Sequence, residues 1–333
     1  MSFNFSFYSA LFIVIALILI PIIGVASHLQ VLFGIVIPYL AFIIFLAGMI
    51  YQVVKWAKCP VPFRIPTTCG QEKTLPWIKY SRFESPFTTF DVIGRMVLEV
   101  LFFRSLFRNT KTVIHGERLS FVSAKWLWLG AIVFHYSFLV VLIRHLRFFT
   151  EPTPFFVRLI EKIDGFFQIT IPALYLSGIV LVAALLFLLA RRVFDPKLRY
   201  ISLPADYFPL FLIISIALSG ILMRYIFKTN IVAVKELTMG LATFHPRLPE
   251  GISAIFYVHI FLVSVLFAYF PFSKLTHMAG VFLSPTRNLA NNNRAIRHIN
   301  PWNPPVKIHT YEEWEEEFKD KIKAAGIPLD KEE

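Results

Sequence analysis

Apolar positions fall into six long runs, at 7–27, 31–55, 124–149, 169–190, 207–227 and 251–272, with polar segments between them. A helix rises about 1.5 Å per residue, so about 20 apolar residues cross the roughly 30 Å hydrocarbon layer of a bilayer. The pattern therefore predicts an all-α, polytopic membrane protein, a bundle of about six transmembrane helices. It also divides the chain. Residues 1–55 read as a transmembrane hairpin, 56–123 as a Pro-rich loop, 124–283 as a four-helix core and 284–333 as a polar arm. Within the loop, 91–108 is a half-amphipathic stretch suited to lying on the membrane surface. Near the end of the arm, Thr310 and Glu313 are spaced for a capping box. Trp314, Phe318 and Ile322 then follow at helical spacing, predicting one amphipathic helix with an apolar stripe.

Composition agrees with the pattern. The chain is 56% hydrophobic and only 16% charged, against roughly a quarter charged in soluble domains. A net charge of +12 would suggest nucleic acid in a soluble protein, but here its distribution gives a different account. If the N-terminus is cytoplasmic, 25 of the 33 Lys and Arg residues fall on that side, in residues 55–125, in the 191–206 loop and in the tail from Lys274. The positive-inside bias then predicts a multi-pass cell-membrane protein with both termini cytoplasmic, in contact with lipid and not with nucleic acid. The N-terminal run lacks a basic leader and a clear cleavage site, and reads as a retained helix. Cys59 and Cys69 imply no disulfide framework. Two thiols are also too few for an iron–sulfur cluster, and neither sits in a C-x-x-C-H haem-attachment pattern. They read as reduced thiols.

The chemistry lies in four histidines. His135 and His145 are ten residues apart in the third run, and His259 and His277 are eighteen apart around the sixth. Ten residues bring the second imidazole to within about 80° of the first and ~15 Å along the helix. Eighteen residues are five turns, which on a continuous helix is one face and ~27 Å. A lone intramembrane histidine more often bonds to a neighbouring helix than ligates a metal. Two such pairs on antiparallel helices instead offer one imidazole each at two depths, the arrangement for two stacked, bis-histidine b-type haems. The pairing expected from the topology is His145 with His259 at the outer haem iron and His135 with His277 at the inner one. The two rises differ, so one helix must tilt or bend, and Pro271 is a physical cause for a bend.

Arg144 and Arg147 flank His145, and Lys274 precedes His277 by three, positions from which basic groups pair haem propionates or reach lipid headgroups. Gly130, Gly178 and Gly220 lie in the third to fifth runs, where small residues let helices approach or admit a porphyrin edge. The loop at 150–168 sets a few charged residues in Phe-rich flanks. That composition suits either a quinol headgroup, with Arg158 and Lys162 as the candidate side chains, or an interfacial amphipathic helix. The sequence holds no dinucleotide-binding or Walker motif, so both reductant and oxidant reach the chain from elsewhere.

These features, the ten- and eighteen-residue histidine pairs and the cytoplasmic tail, resemble the gamma-subunit family of respiratory nitrate reductases over about residues 124–283. The extra N-terminal span, the Pro-rich loop and the Asn/Pro tail look closer to the membrane cytochromes of heterodisulfide-reductase-like menaquinol-oxidising complexes, the type found in the sulfite-reduction-associated complex. The resemblance implies menaquinol oxidation near the outer haem and electron transfer to a cytoplasmic iron–sulfur subunit. It implies the same ligand pairs. The rival expectations are a quinone-reducing cytochrome of the hydrogenase or formate dehydrogenase type, a transporter using the histidines as a proton relay, and a cofactor-free membrane anchor.

Overall fold

A computed structural model describes residues 3–59, 70–165, 173–292, 295–296 and 307–330. In chain order the elements are α1 (Phe3–Ala26), α2 (Leu32–Ala57), α3 (Thr89–Phe102), α4 (Arg104–Arg108), β1 (Thr110–His115), β2 (Arg118–Ser123), α5 (Lys125–His145), α6 (Phe155–Asp164) and α7 (Leu176–Phe194). Then come α8 (Pro196–Ile201), α9 (Pro204–Tyr225), α10 (Ile231–Ala242), α11 (Ala254–Tyr269), α12 (His277–Leu283), α13 (Pro285–Asn288) and α14 (Tyr311–Ala324). Six helical segments are long and apolar enough to cross a membrane: α1, α2, α5 with its 3₁₀ extension to Phe148, α7, α9, and α11 with its extension to Phe272. The chain is a polytopic helical membrane protein.

Packing follows chain order. Helix α5 lies against α7, α7 against α9 and α9 against α11, while α1 and α2 cover α9 and α11 from outside. One core cluster joins Ala10 and Val14 of α1 to Tyr207, Phe211 and Leu212 of α9 and to Val258 and Leu262 of α11. Another joins Leu181 and Leu185 of α7 to Ile213 of α9, with Phe134, Phe138 and Val141 of α5 packed against it. Helix α5 meets α11 through the imidazoles of His145 and His259, and α12 through those of His135 and His277.

The fourth span starts at Leu176, not 169, and runs on to Phe194. Its last turn holds Arg191 and Arg192, cations where the helix dipole favours them and where long side chains reach the headgroups. The sixth run does not remain one helix. Pro271 supplies no N–H, α11 ends at Tyr269, and a 3₁₀ turn at Phe270–Phe272 leads to extended Ser273 before α12 starts at His277. The expected bend is a complete break. Helix α2 makes room for it: a Cβ on Gly48 would sit 2.6 Å from Pro271 Cβ. Gln52 Nε2 donates to the Pro271 carbonyl at 3.1 Å, satisfying a group the broken helix leaves unpaired.

The 56–123 loop has structure that the apolar pattern does not predict. β1 and β2 form an antiparallel hairpin around Gly116, whose φ is +62°. A β-branched run, Thr110–Ile114, before Gly116-Glu117 and the Phe121-Val122 pair after it were the available signal. Helix α3 opens with a capping box between Thr88 and Asp91 and buries Asp91, Arg95 and Glu99. Arg104 and Arg108 both pair with Glu84, and Arg95 donates to the Glu84 carbonyl at 3.1 Å. Arg287 of α13 reaches Glu99 at 3.0 Å, tying the start of the C-terminal arm to this layer.

Burial pushes Asp91 upward, but hydrogen bonds from Arg82 and Thr88, with the Arg82 charge, outweigh it and hold the carboxyl below its ordinary value. A lowered carboxylate pKa contributes stability that is present above the ordinary value near 4 and is lost as pH falls through the native value. The α3 cap should therefore hold through pH 4 and open only below it, read as amide hydrogen exchange at Asp91 and Val92. In Asp91→Asn this acid step should vanish.

Thr310 caps α14 with Glu313 as its box partner, and Trp314 packs on Phe318 with ring centroids 5.7 Å apart and planes tilted by 36°. Cys59 is exposed; Cys69 and His298 lie outside the described residues.

Candidate haem-binding site

His135 and His145 sit on α5 one above the other, His259 on α11, and His277 at the first position of α12. The structure brings the four into two pairs. On the side of the long loop, His135 and His277 have ring centroids 5.9 Å apart and planes crossed at 81°. On the far side, His145 and His259 are 6.3 Å apart and nearly parallel, at 10°. The break at Pro271 makes the first pair possible. A continuous helix would carry His277 ~27 Å from His259, past the ~15 Å that separates its partners on α5.

Each ring is oriented through Nδ1. His135 Nδ1 donates to the Ala131 carbonyl at 2.7 Å, His145 Nδ1 to the Val141 carbonyl at 2.7 Å and His277 Nδ1 to the Lys274 carbonyl at 2.8 Å. His259 Nδ1 lies 2.9 Å from Ser219 Oγ. That hydroxyl spends its proton on the Ile216 carbonyl at 2.9 Å, so His259 is again the donor. All four rings are thereby held in the tautomer that leaves Nε2 with a free lone pair, and no described residue bonds to it. Nearby, Gly220 admits the His259 ring: a Cβ there would meet its Cε1 at 3.4 Å.

Imidazole nitrogens bind metals at about 2.0–2.1 Å, which puts the centroids of two rings opposed across one metal about 6 Å apart. Both pairs match. Among the described residues no group of three or more His, Cys, Asp or Glu side chains is placed to hold an ion. A bare ion needs more ligands than two imidazoles. A pair suits a metal that brings its own four equatorial nitrogens, as haem iron does. The residues present fit haem, which His135, His145, His259 and His277 would hold.

The flanking cations are engaged within the chain. Arg144 pairs with buried Asp164 and also donates to Ser177 Oγ at 3.0 Å, while Ser177 itself donates to Asp164 from N at 2.7 Å and from Oγ at 2.6 Å. Arg147 pairs with Glu161 at 2.9 Å and Lys274 with Asp206 at 2.6 Å. Each of these charges thus has a carboxylate partner in the protein. The guanidiniums of Arg144 and Arg224 lie 3.6 and 4.0 Å from the Tyr175 ring centroid, adding α9 to the latch. Arg158 and Lys162 are exposed on α6. Gly130 is a packing position, where a Cβ would meet the Phe187 ring at 2.6 Å.

Two parts of the site escape the apolar pattern. Helix α10 closes over the 3₁₀ turn after His145, with Thr238 Oγ1 donating to the Phe148 carbonyl at 2.6 Å; the N-cap Asn230, accepting from Val232 and Ala233, was its signal. Phe103 packs edge-on against His135 at 5.0 Å, a contact no local pattern announces.

The family model described as nitrate reductase gamma subunit matches residues 88–298. A protein of Archaeoglobus fulgidus named Hdr-like menaquinol oxidoreductase cytochrome b-like subunit is 51% identical over 82% of this chain and 84% of its own length. A protein of the same name from Archaeoglobus profundus is 44% identical over 82% and 83%. The nitrate reductase gamma chain of Bacillus subtilis is 27% identical over 50% of this chain and 77% of its own. The chain belongs to the nitrate reductase gamma subunit family.

Proposed function

We propose that this protein is a membrane cytochrome b subunit of a quinol-oxidising respiratory complex, holding two b haems between α5 and the broken span of α11 and α12. The observation that carries the reading is the pair of imidazole couples, each with Nδ1 satisfied, Nε2 free and centroids about 6 Å apart. The names of the two Archaeoglobus relatives support menaquinol as the substrate and a heterodisulfide-reductase-like assembly as the setting.

In this reading both termini and the long loop are cytoplasmic, and His145 with His259 faces the outer side. Menaquinol gives up two electrons and two protons near that outer pair. Arg158 and Lys162 on α6 are candidates to bind its headgroup oxygens. Haem iron supplies, when bound, the one-electron relay toward the cytoplasm, where an iron–sulfur partner subunit accepts. The contribution of the chain is placement. The carbonyls of Ala131, Val141 and Lys274 and the Ser219 hydroxyl fix the four rings. Electrons moving inward while protons leave outward make the reaction electrogenic.

Pyridine haemochrome analysis of the purified subunit should give two haem b per chain, and a menaquinol analogue should reduce both. A colourless protein made with ample haem overturns the reading. Two haems that no quinol reduces, but that a reduced soluble partner does, would reverse the direction of flow.

A further inference from the structure

Phe103 stands where α3 meets α4, with φ 50° and ψ 47°. A bulky side chain in the left-handed region is a genuine outlier, retained where its surroundings over-determine it. They do so here. The last carbonyls of a helix have no partner within it, and two of those in α3 are taken by the span that carries His135. Trp128 Nε1 donates to the Phe102 carbonyl at 2.7 Å, and Tyr136 Oη donates to the Leu101 carbonyl at 2.8 Å. On the α4 side, Ser105 donates to Glu99 from N at 2.9 Å and from Oγ at 2.7 Å. The result delivers the Phe103 ring edge-on to His135, with centroids 5.0 Å apart at 86°. Phe134 flanks the same imidazole at 4.9 Å.

We propose that Phe103 is a positioning residue that holds His135 crossed to His277, so that the two haem sites differ in electronic structure. The proposal rests on the haem reading above. In low-spin ferric haem each axial imidazole interacts with the iron d orbital perpendicular to its plane. Parallel rings act on one orbital and separate the pair, giving a rhombic EPR signal. Crossed rings act on both alike and give a broad signal with a larger maximal g. The far-side pair is parallel at 10° and the loop-side pair crossed at 81°.

EPR of the oxidised, purified full-length subunit should thus show one signal of each shape. His277→Ala should remove the broad one and His145→Ala the rhombic one. In Phe103→Leu, with two haems still counted as pyridine haemochrome, the broad signal should shift to lower maximal g while the rhombic one stays. Should that variant lose the loop-side haem, Phe103→Tyr decides, because it keeps the ring edge: an unchanged broad signal supports the proposal, a shifted one overturns it. Two signals of one shape in the parent protein, or a broad signal indifferent to Phe103→Leu, also overturn it. Such outcomes leave the haem count at two and the haem reading intact. A count of zero would instead remove that reading.

Discussion

Replacing His145 with alanine should lower the haem content from two per chain to one and cut menaquinol-driven electron transfer at least about 100-fold. Changes to groups that merely orient a metal ligand commonly cost 10–100-fold in affinity or activity, and losing the ligand itself exceeds that. The geometry sharpens the expectation. Helix α5 meets α11 through the rings of His145 and His259, so without His145 the far-side site keeps one ring, His259, and no described residue stands in for the other. Ser219→Ala removes only the acceptor that holds His259 Nδ1 at 2.9 Å and should weaken haem retention by about 10-fold, the lower end of the same range. His245, exposed and bonded to its neighbour Thr243 at 2.7 Å, is the control: His245→Ala should keep both haems. Haem content by pyridine haemochrome and the quinol-reduced spectrum read all three. An unchanged count in His145→Ala would dissolve the assignment of the far-side pair.

The ease of reading this chain varied with how local each determinant is. The ten-residue spacing on α5 was legible because that helix is continuous, so helical period alone stacks His135 over His145. The eighteen-residue spacing misjudged the path between His259 and His277. It assumed five helical turns, whereas the turn at Phe270–Phe272 and extended Ser273 interrupt them. Pro271 was visible as a perturbation, but Gly48 and Gln52, which receive the break, are some 220 positions away. The same holds for charge. Arg144, Arg147 and Lys274 each stood beside one of the four histidines, and their partners Asp164, Glu161 and Asp206 arrive on other elements, not from the nearest acid in sequence. Nothing in the local pattern around 103 announces a ring against His135, because the contact is made by α3 docking on α5 through Trp128 and Tyr136.

Asp164 is where such a distant contact should matter most for stability. It is buried at the end of α6, paired with Arg144, and accepts both the N–H and the hydroxyl of Ser177 at the start of α7. One carboxylate thus joins α5, α6 and α7 immediately beside His145. Removing one member of a buried pair typically costs about 3–5 kcal/mol, because the other charge stays buried. In Asp164→Asn, Arg144 keeps the Ser177 hydroxyl and the Tyr175 ring face, which argues for the lower figure, about 3 kcal/mol. Glu161→Gln, which breaks the more exposed pair with Arg147 one turn away, should cost under about 1 kcal/mol. Unfolding in a graded mild-detergent to dodecyl sulfate titration measures both. On the proposed assignment, the far-side haem spectrum should be lost first in Asp164→Asn, since the latch holds the helix end that carries His145. Equal midpoints for the two variants would mean that the Arg144 latch carries no more stability than a surface ion pair, and that the far-side site is held by the packing of α7 and α10 alone.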